Sequence, residues 1–339
     1  MTAFKRLFTA LLLLSISIAS LVSCDLGAHT APERKSRVTY DYFDTVATLY
    51  SFSGDSDEEF GANFAAFEAE LSTCHELFDI YNEYDNLNNA ATVNKNAGIS
   101  PVKVDKRLID LLLFSKEMYE KTDGAVNVAM GAVLEIWHSY REARTGVPTK
   151  EELKAASEHC DINKVIIDKP ASTVYLSDPE MSLDLGALAK GFAIDLAADV
   201  LRSRGADSYA IDVGGNLFAI GAKPDGAAFK TGIEDPDGGD YPAYVDVRDG
   251  SVATSGDYQR FYTVDGVRYH HIINPVTLYP ATLHRSVSVY SSSAAVSDAL
   301  STALFNLDRA SGEALIREAF PEVREVIYVG TYGVMRFTA

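Results

Sequence analysis

Leu183-Asp184-Leu185-Gly186-Ala187-Leu188-Ala189-Lys190-Gly191-Phe192-Ala193-Ile194-Asp195 stands near the middle of the chain and joins two patterns. Its first residues read as the end of a short apolar strand. Further on, Ile194, Leu196, Ala197, Val200 and Leu201 recur with a helical period. A lysine beside a glycine at the mouth of a helix suits an anion, because free N–H groups and the macrodipole favour negative charge there. The reading is a phosphate-bearing ligand at Lys190. A plain strand-to-helix turn with a solvated lysine is the alternative. The stretch is not a P-loop: it lacks the second glycine before the lysine and the Ser/Thr after it.

Upstream, Val38 to Phe52 alternates as one or two strands. Ser56-Asp57-Glu58-Glu59 is a capping box before a helix whose Phe60, Phe64, Phe67 and Leu71 form one stripe. The Asn-rich run after Phe78 is a loop carrying Tyr81 and Tyr84. Asp105 caps a second helix, and Thr149 with Glu152 opens a third. Val165 to Ile167 and Thr173 to Leu176 pair as a hairpin. Downstream, strands mostly follow strands: Tyr209 to Val213, Leu217 to Ile220, Phe229 to Ile233, Ala243 to Val247 and Ser251 to Ala253. Thr254 to Tyr258 reads as a polar turn, and Ala295 to Asn306 as a helix. Strands without intervening helices make the class α+β, mainly antiparallel sheets with flanking helices, rather than a doubly wound sheet.

The amino terminus reads as an export address. Lys5 and Arg6 precede an apolar run from Leu7 to Ile18, shorter than the roughly 20 residues of a spanning helix. Leu21-Val22-Ser23-Cys24 then looks like a bacterial lipobox, with cleavage before Cys24 and lipid on its thiol. The expected division is a leader at 1–23, a polar tether at 24–37 and one catalytic unit at 38–339. It puts the protein at a cell membrane, lipid-anchored on the extracytoplasmic or periplasmic face. The chain carries −18 at pH 7, and loss of Lys5 and Arg6 makes the remainder two units more negative. Such a surface repels nucleic-acid phosphates and excludes nucleic acid as a partner. Cys74 and Cys160 are expected as free thiols, and no C-x-x-C pair suggests structural zinc.

Two further patterns carry chemistry. His270 and His271 are adjacent in a strand pattern, so at most one faces a site. Asp298 and Thr302 lie four apart and share a helix face. A carboxylate with a hydroxyl suits a hard cation such as Mg²⁺, and helix-surface solvation is the plain alternative.

The order of these motifs resembles a known family. Asp184 to Gly191, Gly214-Gly215-Asn216, Ala253 to Tyr258, His271 to Thr277 and Asp298 to Ala303 together resemble the FAD:protein FMN transferase family, ApbE, with Phe78 to Tyr81, Asn94 and Asp123 to Trp137 in support. The resemblance implies a T-fold-like unit that takes FAD as substrate. A Ser or Thr hydroxyl of an acceptor flavoprotein, such as the FMN-binding domain of a redox-complex subunit, attacks the FMN-side phosphorus and AMP leaves. It further implies Mg²⁺ at Asp298 and Thr302 with the Ala187 carbonyl, and Lys190 near the phosphates. Asp257 and His271 fall at functional polar positions, His271 helping the hydroxyl lose its proton. Tyr81 is the expected flavin or adenine contact and Asp195 the ribose- or adenine-side contact. Against the family pattern, Asn274 replaces an Asp and Leu278 a Gly, and Asp44-Thr45 lacks the usual Met-Gly-Thr. An FAD pyrophosphatase and a non-catalytic FAD-binding lipoprotein are the competing functions.

Overall fold

The computed structural model describes residues 33–330 and 333–339. The leader, Cys24 and most of the 24–37 tether lie outside the described residues. Strand β1 (Lys35–Tyr42) begins inside the stretch expected as tether. Its largely exposed residues are held by pairing rather than burial: Lys35, Ser36 and Arg37 lie opposite Ser51, Tyr50 and Leu49 of β2 (Thr45–Ser51).

An eight-stranded antiparallel sheet is the frame. Its order is β1, β2, β6 (Ser208–Val213), β7 (Asn216–Gly221), β10 (Gly250–Gly256), β13 (Ser286–Ser291), β14 (Val323–Gly330) and β15 (Gly333–Thr338). One face carries helices. Helix α1 (Asp57–Phe78) starts at the capping box, where the Glu59 N–H donates to Ser56 Oγ at 3.2 Å and the Ser56 N–H donates to Glu59 at 2.8 Å. Its stripe of Phe60, Phe64, Phe67 and Leu71 is buried. Helix α6 (Ala189–Ser203) packs on it, and α7 (Ala294–Asn306) packs on α6. The opposite face is covered by the hairpin β8 (Phe229–Ile233) and β9 (Ala243–Val247), against Ala210, Ala219 and Val252. Burial on both faces explains why β13, SVSVYS, is buried along its whole length.

Helix α7 is buried nearly all round, polar residues included, and lies in the core. Its buried serines are satisfied rather than stranded: Ser297 reaches Ser291 Oγ and the Ser251 carbonyl, and Ser301 donates to the Asp298 carbonyl at 2.8 Å.

Smaller elements build the walls of a cleft. Helices α2 (Ala90–Lys95) and α3 (Lys106–Lys121) flank β3 (Val102–Lys103) in the chain, and β3 joins β5 (Thr173–Leu176) and β4 (Val165–Asp168) in a small sheet. Helices α4 (Gly131–Ala143) and α5 (Lys150–Ser157) cap the hairpin β11 (Phe261–Val264) and β12 (Val267–His270), with Trp137 stacked on Tyr269. Helix α8 (Arg309–Ala319) follows α7.

Three local expectations change. The Asn-rich run expected as a loop contains α2, whose cap Asn89 accepts from the Thr92 N–H at 3.0 Å. Leu183–Leu185 is not a strand end. The Asn94 amide brackets Leu183, accepting from its N–H at 2.7 Å and donating to its carbonyl at 3.0 Å, while the Asp184 N–H donates to the Val128 carbonyl. The apolar leucines are buried, but side-chain amides and loops take the backbone bonds a ladder would have taken. Conversely, Thr254–Gly256 continues β10 instead of turning, because it pairs with Ser288, Val287 and Ser286 across the sheet. Cys74 and Cys160 are free, and burial pushes both thiols up, Cys160 to about 11.

Candidate active site

The α6 mouth, α7, the end of β10, the segment after β12, α4 and the Phe78–Asn82 loop enclose a cavity of about 440 Å³. That volume suits a small-molecule or cofactor site.

At one end lies Asp298, 5% exposed. Its Oδ2 accepts from the Gly191 N–H at 2.9 Å; its Oδ1 accepts from Asn216 Nδ2 at 2.9 Å and Lys190 Nζ at 3.4 Å. The first of these depends on close helix packing. A Cβ on Gly191 would stand 2.3 Å from the Ala294 carbonyl oxygen and 2.6 Å from Asp298 Cβ, so only glycine lets α6 and α7 meet there. Because the Gly191 N–H turns to Asp298, it does not close the helical bond to the Ala187 carbonyl. Among the described residues that carbonyl receives no hydrogen bond. Ala187, Asp298 and Thr302 all line the cavity. Thr302 Oγ1 is 3.1 Å from Ser255 Oγ. Carbonyl, carboxylate and hydroxyl form an all-oxygen set that fits a hard divalent cation, with lone pairs on each still uncommitted.

Asn216 appears in the sequence reading only within the Gly214-Gly215-Asn216 motif, with no role of its own. Gly214, at φ +60°, and Gly215, at φ +86°, reverse the chain in a conformation few side chains tolerate. That turn delivers Asn216, buried at the start of β7, onto Asp298.

The other end is more open. Tyr81, 65% exposed, meets His138 edge-on at 5.6 Å, its hydroxyl 3.3 Å from His138 Nδ1. Arg141, Asp184 and Arg260 line the same end. Desolvation raises the Asp184 carboxyl, and the Gly186 N–H donating to it at 2.9 Å opposes the rise.

The two histidines separate, although β12 ends at His270 and His271 stands in the bend that follows it. His270 is buried, its Nε2 on the Ala281 carbonyl at 2.6 Å. His271 faces the cavity, and its Nδ1 lies 3.3 Å from the Arg260 carbonyl. A carbonyl only accepts, so this contact assigns the proton to Nδ1 and leaves a lone pair on Nε2. Desolvation, then the Arg260 guanidinium, pulls His271 down to about 3. It is neutral at pH 7.

Two expected ligand contacts are elsewhere. Asp195 does not line the cavity. It caps α7, accepting from Ser293 Oγ at 2.6 Å, the Ala294 N–H at 2.7 Å and the Ala295 N–H at 3.0 Å. The free N–H groups of that helix end explain the choice. Asp257 also turns away, pairing with Arg285 Nε at 2.7 Å and lying 3.8 Å from Arg268. Lys190, Tyr81 and His271 do line the cavity.

The departures at 274 and 278 have local accounts. Asn274 Oδ1 accepts from the Val276 and Thr277 N–H groups, and its Nδ2 donates to the Asn306 carbonyl at 3.0 Å, which an aspartate cannot do. Leu278 keeps a glycine-type backbone at φ +63°, held where Trp137 Nε1 donates to its carbonyl at 2.9 Å.

Scaffold and cavity together define an α+β protein in which a backbone carbonyl, a carboxylate, a hydroxyl, a lysine and a tyrosine line one cleft. The chain belongs to the ApbE family, whose model matches residues 43–327. It is similar to the FAD:protein FMN transferase of Treponema pallidum, 44% identical over 249 residues, which cover 69% of this chain and 68% of that one. It is 31% identical over 244 residues to the FAD:protein FMN transferase of Vibrio cholerae, covering 71% and 72% of the two. The fold likewise resembles the crystal structure of the ApbE protein of Thermotoga maritima, with a TM-score of 0.79 at 28% identity over 91% of this chain and 97% of that one. The flavin transferase ApbE from Vibrio cholerae gives 0.77 at 26% identity, with the same coverage. The expected α+β class and family both hold.

Proposed function

We propose that the chain is an FAD:protein FMN transferase that uses Mg²⁺ and acts from a lipid anchor. The observation that carries the reading is the convergence of Ala187, Asp298 and Thr302 with Lys190 in one cavity of a chain 44% identical to an FAD:protein FMN transferase. A Ser or Thr oxygen of the acceptor forms a bond to the FMN-side phosphorus as the bond to the bridging oxygen breaks. AMP departs, and the hydroxyl proton passes to the Nε2 lone pair of His271. Phosphoryl-type transfer depends mainly on positioning and charge neutralisation. The Asp298 carboxylate, the Thr302 hydroxyl and the Ala187 carbonyl would hold Mg²⁺, which would neutralise charge on the pyrophosphate. Lys190 adds a second cation, and Tyr81 offers a ring face to flavin or adenine. The FMN-binding domain of a membrane redox-complex subunit is the proposed acceptor, reached from the extracytoplasmic face through lipid on Cys24. Among the described residues no helix is long and apolar enough to cross a membrane.

The test incubates the chain from Cys24 with FAD, Mg²⁺ and such a domain, then looks for in-gel flavin fluorescence and AMP. Labelled acceptor with AMP in equal amount supports the reading. AMP without label identifies a pyrophosphatase, and retained FAD with neither product a storage protein.

A further inference from the structure

Arg141 and Arg260 come from different elements, the last turn of α4 and the residue before β11, yet both line the catalytic cavity. The chain has 48 acidic residues against 30 lysines and arginines, so an arginine has carboxylates to choose from. Arg107 takes Glu70, Arg202 takes Asp249, Arg285 takes Asp257 and Arg336 takes Glu325. Lys190, in the same cavity, takes Asp298. Among the described residues, the side chains of Arg141 and Arg260 make neither an ion pair nor a hydrogen bond. Asp184 lies close enough to feel both guanidiniums but is not paired with either. The position of Arg141 near a helix C-terminus has a dipole rationale; Arg260, in a connection between strands, has none.

We infer that Arg141 and Arg260 form an anion clamp for a phosphate of the dinucleotide, a second subsite facing the Lys190–Asp298 end. This rests on FAD being the substrate. Two fork-shaped donors left unpaired in an acidic protein are suited to the non-bridging oxygens of a phosphate, which accept bidentate hydrogen bonds. One bridging oxygen joins the two phosphates, so the arginines act on the same pyrophosphate as Lys190, from the wall of the cavity that Arg141 and Arg260 line. They bind and orient substrate; neither moves a proton.

The experiment measures dissociation constants of FAD, FMN, AMP and riboflavin for the full chain, and for Arg141→Gln, Arg260→Gln and Arg260→Lys, without acceptor. Each glutamine variant is expected to weaken FAD about tenfold or more, the loss of a charge-assisted hydrogen bond. FMN or AMP should weaken in parallel, riboflavin should stay within about twofold, and Arg260→Lys should recover part of the loss through its retained charge. Unchanged FAD affinity in both glutamine variants overturns the clamp, as does an equal loss for uncharged riboflavin. FAD affinity unchanged with a raised KM for the acceptor also overturns it, assigning the arginines to carboxylates of the partner protein. A wild-type chain that binds no FAD overturns the substrate reading itself and is distinguished by that control.

Discussion

The two ends of the cavity are built on opposite principles. At the Asp298 end one buried carboxylate takes a backbone N–H, an asparagine amide and a lysine, on two helices packed to glycine contact. At the Tyr81 end a ring stands mostly in solvent, and among the described residues two arginine side chains have no hydrogen-bond or ion-pair partner. One end is preorganised, with its charge fixed before any ligand arrives; the other is left for the ligand to complete. Such a contrast suits a reaction in which one phosphate must not move and the rest of a long substrate must enter and leave.

The largest effect belongs to the fixed end. Asp298→Ala should lower Mg²⁺-dependent turnover about a thousandfold, the ratio that several kcal/mol of lost charge stabilisation produces. Rates with FAD and acceptor over a Mg²⁺ titration check this, and undiminished turnover would falsify the metal assignment. His271 lies between the ends, and His271→Gln should cost about a hundredfold in kcat, in the range of a lost general base. Its pH behaviour is more specific. Since His271 sits at about 3 in the free protein, the kcat/KM profile should show no limb from it near 6.5. An anion against Arg260 removes one cause of that depression, so the acid limb of kcat should lie higher than that of kcat/KM. Stability carries the same sign. Between about 6.5, the unperturbed value, and about 3 the unfolded chain binds a proton that folded His271 refuses. Stability from this residue is present above 6.5 and is lost as pH falls toward 3. Urea unfolding at pH 7 and pH 5 should show a smaller acid loss in His271→Gln than in wild type.

Local patterns were legible because they need only neighbours in sequence. Ser56 with Glu59 and Thr149 with Glu152 form the capping boxes that spacing announces, and the turn at Asp168 joins the expected hairpin. Asp298 and Thr302 reach one cavity from four-residue spacing, and only one of His270 and His271 faces it, as expected, although His271 lies in the bend just after the strand. What could not be read depends on partners far along the chain. Asp195 is spent on a helix end about a hundred residues later, and Asp257 on Arg285, both ordinary fates for a carboxylate that only a fold can assign. Asn216 was hidden for the same reason: its amide meets Asp298 across 82 residues. A small polar residue directly after two glycines was the one available signal. The unpaired state of Arg141 and Arg260 had none, since no sequence pattern shows that a carboxylate is missing.

Gly191→Ala tests how rigidly the fixed end is held. The added methyl has to displace the Ala294 carbonyl and the Asp298 side chain, both parts of a buried helix. Overpacking of this kind costs about 1–3 kcal/mol. The thermal midpoint should fall by several degrees, and turnover should fall with it because the Asp298 carboxylate shifts off its N–H donor. A variant with wild-type midpoint and turnover would mean that α6 and α7 separate freely, and the fixed end would not be fixed.

Tyr81 supplies the smallest and most discriminating effect, at the open end. Tyr81→Ala should raise KM for FAD about tenfold, within the range of a lost base–aromatic stack. Tyr81→Phe removes only the hydroxyl, which lies 3.3 Å from His138 in a solvent-exposed position, and should stay within about twofold. Neither change should move the thermal midpoint appreciably, because a side chain 65% exposed contributes little to the fold. Steady-state kinetics in FAD and a thermal melt on the same preparations separate affinity from stability. If Tyr81→Ala lowered the midpoint as far as Gly191→Ala does, the ring would be a structural prop, and the distinction between a built end and a waiting end would collapse.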